Sequence, residues 1–312
     1  MVESSGTHIM NRRDFLISGS KAALGVALAG SPLISVGRNR SRLSVLFTND
    51  WHSRIEPFAM DGGKYQGLGG ASKRAALIES IRRKEKQTLL LDAGDIFQGT
   101  PYFNFFGGKL EFELMSAMKY DAATLGNHDF DNGIDGLIRH LPHAKFPFLN
   151  CNYDFTDTKL NDVVEPYKIF VKGGTRIGVL GIGIELDGLV SKKLYGNIKY
   201  RDPIEHANST AAFLKNKKKC DLVICLSHLG FEYKTDKVSD LTFAKESNDI
   251  DLILGGHTHT FLQLPVEVIN NQGEVVNIMQ TGWAGINLGK IDYEAHSKFE
   301  AQVGANCLVK IS

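Results

Sequence analysis

Five short polar clusters carry the residue types that bind cations. They are Asp50-Trp51-His52, Gly94-Asp95, Gly126-Asn127-His128-Asp129, Ser227-His228 and His257-Thr258-His259. Together they hold five of the ten histidines in the 312-residue chain. The donors mix carboxylate, imidazole and amide oxygen, with no thiolate. That set suits borderline divalent ions such as Mn, Zn, Fe or Co better than Cu(I) or an iron–sulfur cluster. One residue separates Asp50 from His52, and one separates His257 from His259. Near the end of a strand, with its period of two, such pairs point the same way, so each pair is expected to grip one ion. The glycines before Asp95, Asn127 and His257 let the backbone turn sharply and approach a ligand. Any one such residue reads as an ordinary cap or turn. Agreement at five places favours ligation.

Each cluster follows an apolar run that reads as a strand: residues 43–48, 88–92, 122–125, 222–226 and 252–254. In open α/β sheets, ligands bind beyond the carboxyl ends of the strands. Further strands are expected at 146–150, 167–171, 176–182, 266–270, 275–280 and 288–293. Helices are expected at 71–86, 109–118, 134–141, 204–218 and 241–247. Gly173-Gly174 and Gln272-Gly273 read as hairpin turns. Parallel and hairpin-joined strands with interspersed helices predict an α/β sandwich. The glycines of residues 178–183 do not follow the dinucleotide-binding order and read as a closely packed strand. There is no G-x-S-x-G, H-E-x-x-H or Walker A motif. Phe97, Tyr102, Phe103, Phe105 and Phe106 crowd a loop after Asp95 and read as packing beneath it, with a substrate wall as the alternative. Tyr65 lies in a glycine-rich insert and is expected to be exposed.

Composition narrows the function classes. Hydrophobic residues make up 43% and charged residues 23%, values of a globular chain rather than a disordered one or a coiled coil. The net charge of +1 gives no general attraction to nucleic-acid polymers or anionic membranes. Four cysteines without a CxxC pair exclude a disulfide-stapled scaffold and an all-thiolate zinc site. One bridge stays open as an option in an oxidising compartment. Residues 1–40 read as a leader and linker. Arg12-Arg13 precedes a mildly apolar run, and Ala27-Leu28-Ala29 offers a cleavage site, the pattern of a twin-arginine export signal. The run is too short for a bilayer span, and none is expected elsewhere. The mature protein is therefore expected outside the cytoplasm, periplasmic or extracellular, with its working domain over residues 41–312.

The motifs together resemble the calcineurin-like metallophosphoesterases. The stretches Asp95-Ile96-Phe97-Gln98-Gly99-Thr100-Pro101 and Gly126-Asn127-His128-Asp129-Phe130-Asp131 are similar to the 5′-nucleotidase branch, as are Gly69-Gly70-Ala71 and Gly289-Lys290-Ile291-Asp292. The resemblance covers residues 42–295. It implies a four-layer α/β/β/α sandwich holding two divalent metal ions. It assigns Asp50, His52, Asp95 and His259 to one ion and Asp95, Asn127, His228 and His257 to the other, with Asp95 bridging. His128 matches the catalytic histidine, Asp131 the acid that orients it, and Asn127 and His128 face the phosphate. The implied activity is hydrolysis of phosphomonoesters, nucleoside monophosphates above all, by attack of a metal-bound hydroxide. The alternatives are a phosphodiesterase for cyclic nucleotides or nucleotide-sugars, and a non-catalytic metal- or phosphate-binding module. The 5′-nucleotidases carry a second, C-terminal domain that grips the nucleoside. This sequence ends at Ser312 without it, so a separate partner subunit is a further expectation.

Overall fold

The computed structural model describes residues 42–294 and 308–311. The twin-arginine-type leader and Cys307 lie outside the described residues. In the first sheet, β1 (Leu43–Thr48), β2 (Thr88–Asp92), β3 (Ala122–Thr124) and β4 (Phe148–Leu149) run parallel. A strand from the far end of the chain, β13 (Asn287–Tyr293), pairs antiparallel with β1, and β14 (Leu308–Lys310) extends it. The second sheet contains β6 (Tyr167–Lys172), β7 (Thr175–Gly183), β9 (Leu222–His228), β10 (Leu252–Gly255), β11 (Val266–Ile269) and β12 (Val275–Met279). Its order is β11-β12-β10-β9-β7-β6, with β7, β9, β10 and β12 parallel. A small ladder joins β5 (Tyr153–Asp154) to β8 (Lys199–Tyr200).

The pleat of the strands sorts side chains into layers. Leu46 of β1 and Leu90 of β2 face Ile78, Phe112 and Leu137. Those residues belong to helices α1 (Ala71–Lys84), α3 (Lys109–Ala117) and α4 (Gly133–His140). Their neighbours Val45, Phe47, Leu89 and Leu91 point the other way, into a core shared with Ile177, Val179, Leu222 and Ile224 of the second sheet. On the far side, Leu180, Ile182 and Val223 meet Ala207, Ala211, Leu214 and Phe243. These last four come from α6 (Pro203–Asn216) and α7 (Asp240–Glu246). Three apolar cores between four layers give the expected α/β/β/α sandwich.

The glycine-rich run in β7 is what lets the sheets meet. A Cβ added at Gly181 would lie 2.0 Å from the Leu149 carbonyl oxygen and 2.7 Å from Thr124 Oγ1. The strand therefore presses on the backbone of β4 and on the Thr124 side chain of β3. The hairpin between β6 and β7 turns through Gly173 and Gly174, with φ of +57° and +81°, as a two-residue turn of primed type requires.

Two expectations are corrected. The aromatic loop after Asp95 is partly a helix, α2 (Pro101–Phe106), started by proline at its first position and ended by Gly107 at φ +61°. Phe97 is buried against Phe103 and Phe112, but Phe105 is 81% exposed and Phe106 46%. A helix must turn one face outward, so the aromatics divide instead of all packing beneath. Tyr65 is half-buried: its ring stacks on Phe261 and meets Phe58 and Trp283 edge-on or tilted. Cys151, Cys220 and Cys225 are free thiols. Among the described residues, no helix is long and apolar enough to cross a membrane.

Overpacking a close sheet contact costs about 1–3 kcal/mol. Gly181→Ala is therefore expected to lower unfolding stability by at least that much, measured by urea or thermal denaturation.

Candidate metal centre

The strand ends bring the polar clusters together in two groups. Ligand atoms of Asp50, His52 and His259 lie within 4.8 Å of one another, and so do those of Asp95, His228 and His257. In the first group, His259 Nε2 is 3.4 Å from Asp50 Oδ1 and 2.9 Å from His52 Nε2. In the second, His228 Nε2 is 3.1 Å from Asp95 Oδ2. The same Asp95 oxygen is 3.9 Å from His52 Nε2, so Asp95 stands between the groups. Asn127 joins the second group, its Oδ1 2.8 Å from His257 Nδ1.

The backbone reaches this arrangement by an unusual route. Asp50, His52, Asp95, His257 and His259 all have left-handed φ, between +50° and +73°. Such values are uncommon for residues with a side chain and cluster at functional sites, where surrounding structure over-determines them. This corrects the reason expected for the paired ligands. Asp50 and His52 share a direction because of a left-handed turn beyond β1, not because of strand pleat. Glycines make the room. A Cβ at Gly126 would lie 2.2 Å from Asp95 Oδ1, and one at Gly256 would lie 2.8 Å from His228 Nδ1.

A second layer fixes the ligands. His228 Nδ1 donates to the Ala93 carbonyl at 2.7 Å and His52 Nδ1 to that of Phe97 at 3.2 Å, which turns each Nε2 toward the centre. Asp129 accepts from the backbone N–H groups of Gly126, Asp95, Ile96 and Phe97, tying two ligand loops to one carboxylate. Asn49 donates to Asp50 and accepts from Thr281. Gln280 accepts from Thr260 N–H and donates to the Gly256 carbonyl, holding the loop that bears His257 and His259. Trp283 stacks flat on His259 with ring centroids 5.6 Å apart. Sequence reasoning gave no role to Asn49, Asp129, Gln280 or Trp283. Only Asp129 carried a signal, its place in the Gly126–Asp129 cluster.

The burial of the acidic groups suits a cation. Asp50 and Asp95 are almost wholly buried, and their ion-pair partners are histidines only, with no Lys or Arg among the described residues. Burial would raise the Asp95 carboxyl, but the charges of His228 and His52 outweigh it and hold it well below the usual carboxylate range. Burial presses His228 down, yet the adjacent Asp95 carboxylate lifts it to about 10. Burial and the charge on His228 push His257 down to about 4. His228 Nε2 is buried without a well-formed hydrogen bond. Imidazole nitrogens gathered around two buried carboxylates form a donor set that fits divalent ions of the borderline class.

His128 and Asp131 sit beside the centre. His128 Nδ1 is 2.7 Å from Asp131 Oδ2, and the ring lies 5.3 Å from that of His52. The hydrogen bond to Asp131 raises the imidazole pKa, against burial and with help from Asp95. The His128 backbone N–H donates to Asp95 Oδ1 at 2.8 Å. Asp131 thus faces the imidazole.

A profile of the Calcineurin-like phosphoesterase family matches residues 43–261. The chain belongs to that family. It is 34% identical over 283 residues to the snake venom 5′-nucleotidase of Crotalus adamanteus, an alignment covering 83% of this chain and 46% of that one. It is 36% identical over 229 residues to the 5′-nucleotidase of Vibrio cholerae, covering 70% and 40%. The solved structure of a 5′-nucleotidase precursor from Thermus thermophilus matches with a TM-score of 0.73 at 29% identity, covering 86% of this chain and 53% of that one. The chain spans about half the length of the curated relatives it matches.

A ligand that binds only the folded state stabilises it by about 2.7 kcal/mol at one hundred times its Kd. Chelation is thus expected to lower the melting temperature, and Mn or Zn to restore it. An unchanged melting curve would remove the case for ions at this centre.

Proposed function

We propose that the chain is an exported phosphohydrolase that uses two divalent cations to cleave phosphomonoesters, nucleoside monophosphates foremost, to alcohol and phosphate. The observation that carries the reading is the convergence of two ligand groups on Asp95 with the His128–Asp131 pair alongside. Asp50, His52, Asp95 and His259 hold one cation. Asp95, Asn127, His228 and His257 hold the other. When bound, such ions polarise phosphoryl oxygens and supply a nucleophile at neutral pH. The chain's own groups do the rest. Asn127 and His128 bind the phosphate, and His128, kept protonated by Asp131, sets positive charge beside the phosphoryl oxygens. It then gives its proton to the leaving oxygen. The name 5′-nucleotidase on relatives that are about a third identical over the half of their length that aligns supports the substrate. Residues 1–40 serve as the twin-arginine-type leader and residues 41–312 as the catalytic domain. A partner subunit bearing a second domain is an optional addition.

The test is elemental analysis of the natively produced chain, followed by phosphate release from nucleoside monophosphates, cyclic nucleotides, nucleotide-sugars and bis-p-nitrophenyl phosphate. Monoesters are expected to be cleaved fastest; preference for the diester overturns the assignment. Asp95→Ala is expected to lose cations and turnover together. His128→Ala should keep its cations and lose about 10²–10⁴-fold in kcat, the usual worth of a general acid. Parent-like turnover in that variant would sink the His128 role. Because Asp131 raises the His128 pKa, the proton persists to higher pH. Asp131→Asn should therefore move the alkaline limb of the kcat profile to lower pH.

A further inference from the structure

We propose that Trp283 is a positioning residue that seats the ligand His259 and so sets how tightly the first cation group binds. This role rests on the two-cation reading of the centre. A metal-binding histidine ordinarily donates its other ring N–H to an oxygen, which fixes the ring and its tautomer. His228 and His52 do so through the Ala93 and Phe97 carbonyls. His257 Nδ1 lies 2.8 Å from Asn127 Oδ1. His259 differs. Its Nε2 faces His52 and Asp50, and among the described residues its Nδ1 has no hydrogen-bond partner. Its side chain is 39% exposed, against 8% for His52 and 0% for His228.

In place of that hydrogen bond, His259 has the indole of Trp283. The ring centroids are 5.6 Å apart and the planes only 6° from parallel. A face-on aromatic neighbour fixes the plane of an imidazole, and with it the arc through which Nε2 can point. The backbone on either side of the tryptophan is fastened to the same group. Gly282 N–H donates to the Thr260 carbonyl at 2.9 Å, one residue past His259. Ala284 N–H donates to the Asp50 carbonyl at 2.7 Å, and Asn49 Nδ2 to the Gly282 carbonyl at 2.6 Å. Trp283 therefore rides on a short span pinned at both ends to ligand-bearing turns. Its ring is backed edge-on by Phe58 at 5.8 Å and Tyr65 at 6.4 Å.

The two cation groups are consequently unequal. The second is braced by hydrogen bonds, to a buried carbonyl at His228 and to Asn127 at His257. The first depends, at its exposed edge, on a ring stack. An oxygen acceptor on the far nitrogen also makes an imidazole a more basic ligand, and His259 lacks that help. The first group is therefore the weaker and the more readily exchanged. Its affinity answers to residue 283, and that of the second group does not: the ring neighbours of His257 are His228 and Tyr233, not Trp283.

The experiment uses the full chain, stripped of metal by chelator and titrated with Mn(II) by calorimetry in the absence of substrate. The parent should take up two ions in steps of unequal affinity, and His259→Ala should remove the weaker step. Trp283→Leu keeps apolar bulk but no ring face. It should weaken that step about 10–100-fold, the usual worth of an outer partner, and leave the tighter step unchanged. Trp283→Phe keeps a smaller face and should lose only severalfold, so it carries the test if the leucine variant fails to fold. Adding Trp283→Leu to His259→Ala should cost no further affinity, as for two residues that act on one ion. Equal weakening of both steps, or no change in either, overturns the positioning role, as does a parent that takes up a single ion. Phosphate release is measured separately. If the weaker step alone shifts while no phosphomonoester is cleaved, the positioning role stands and the activity is wrong. If phosphomonoesters are cleaved and neither step shifts, the phosphohydrolase stands and the positioning role is wrong.

Discussion

Two carboxylates held out of water without a basic side chain to answer them set the terms for this molecule. Asp50 and Asp95 sit at the carboxyl ends of adjacent parallel strands, and among the described residues their ion-pair partners are imidazoles. Taking such charges from water costs several kcal/mol each unless compensated. The five left-handed residues among these clusters add backbone strain of about 1–3 kcal/mol apiece. The sandwich, with its three apolar cores, supplies the stability that makes this arrangement tolerable. A divalent ion pair would convert its least favourable region into one of its firmest.

Precision at the centre comes from polar residues one step back. Asp129 binds the loops after β2 and β3, Asn49 joins the turn after β1 to Thr281, and Gln280 braces the turn after β10. Asp129 accepts from backbone only, Gln280 braces backbone on both sides, and Asn49 adds a direct bond to the Asp50 carboxylate, so together they fix both where these residues lie and how Asp50 is turned. Behind them, Trp51 is wedged between the two ligands of its own turn, with the buried Arg74 guanidinium 3.9 Å over its ring. The Arg74 nitrogens lack hydrogen-bond partners, and its charge is met by the indole face and by the buried Asp92 carboxyl.

Much of this was legible in sequence. The long apolar runs became β1, β2, β7 and β9 because burial on both faces leaves a continuous signal, and the polar residues that end them fell where parallel strands end. Short elements were not legible. α5 (Lys192–Tyr195) and the β5–β8 pair have four and two residues, too few for a period to emerge. Yet their residues Tyr153, Lys192, Tyr195 and Tyr200 wall a cavity. The supporting roles of Asn49 and Gln280 were also hidden, because a side chain that bonds distant backbone leaves no local pattern. The left-handed turns were hidden for a related reason: five residues with side chains occupy a conformation that glycine usually announces.

The pairing of β1 with β13 has a consequence for synthesis. The first strand made has one neighbour soon after it, but its other edge waits for residues 287–293. The turn at Asp50 is likewise latched by Ala284 and Thr281. A nascent chain on the ribosome therefore carries an open strand edge until nearly everything described has emerged. Such an edge invites pairing with a stranger. The cage closes late, as an act of the whole polypeptide, and a chain halted before residue 287 would offer chaperones a half-built sheet rather than a smaller working unit.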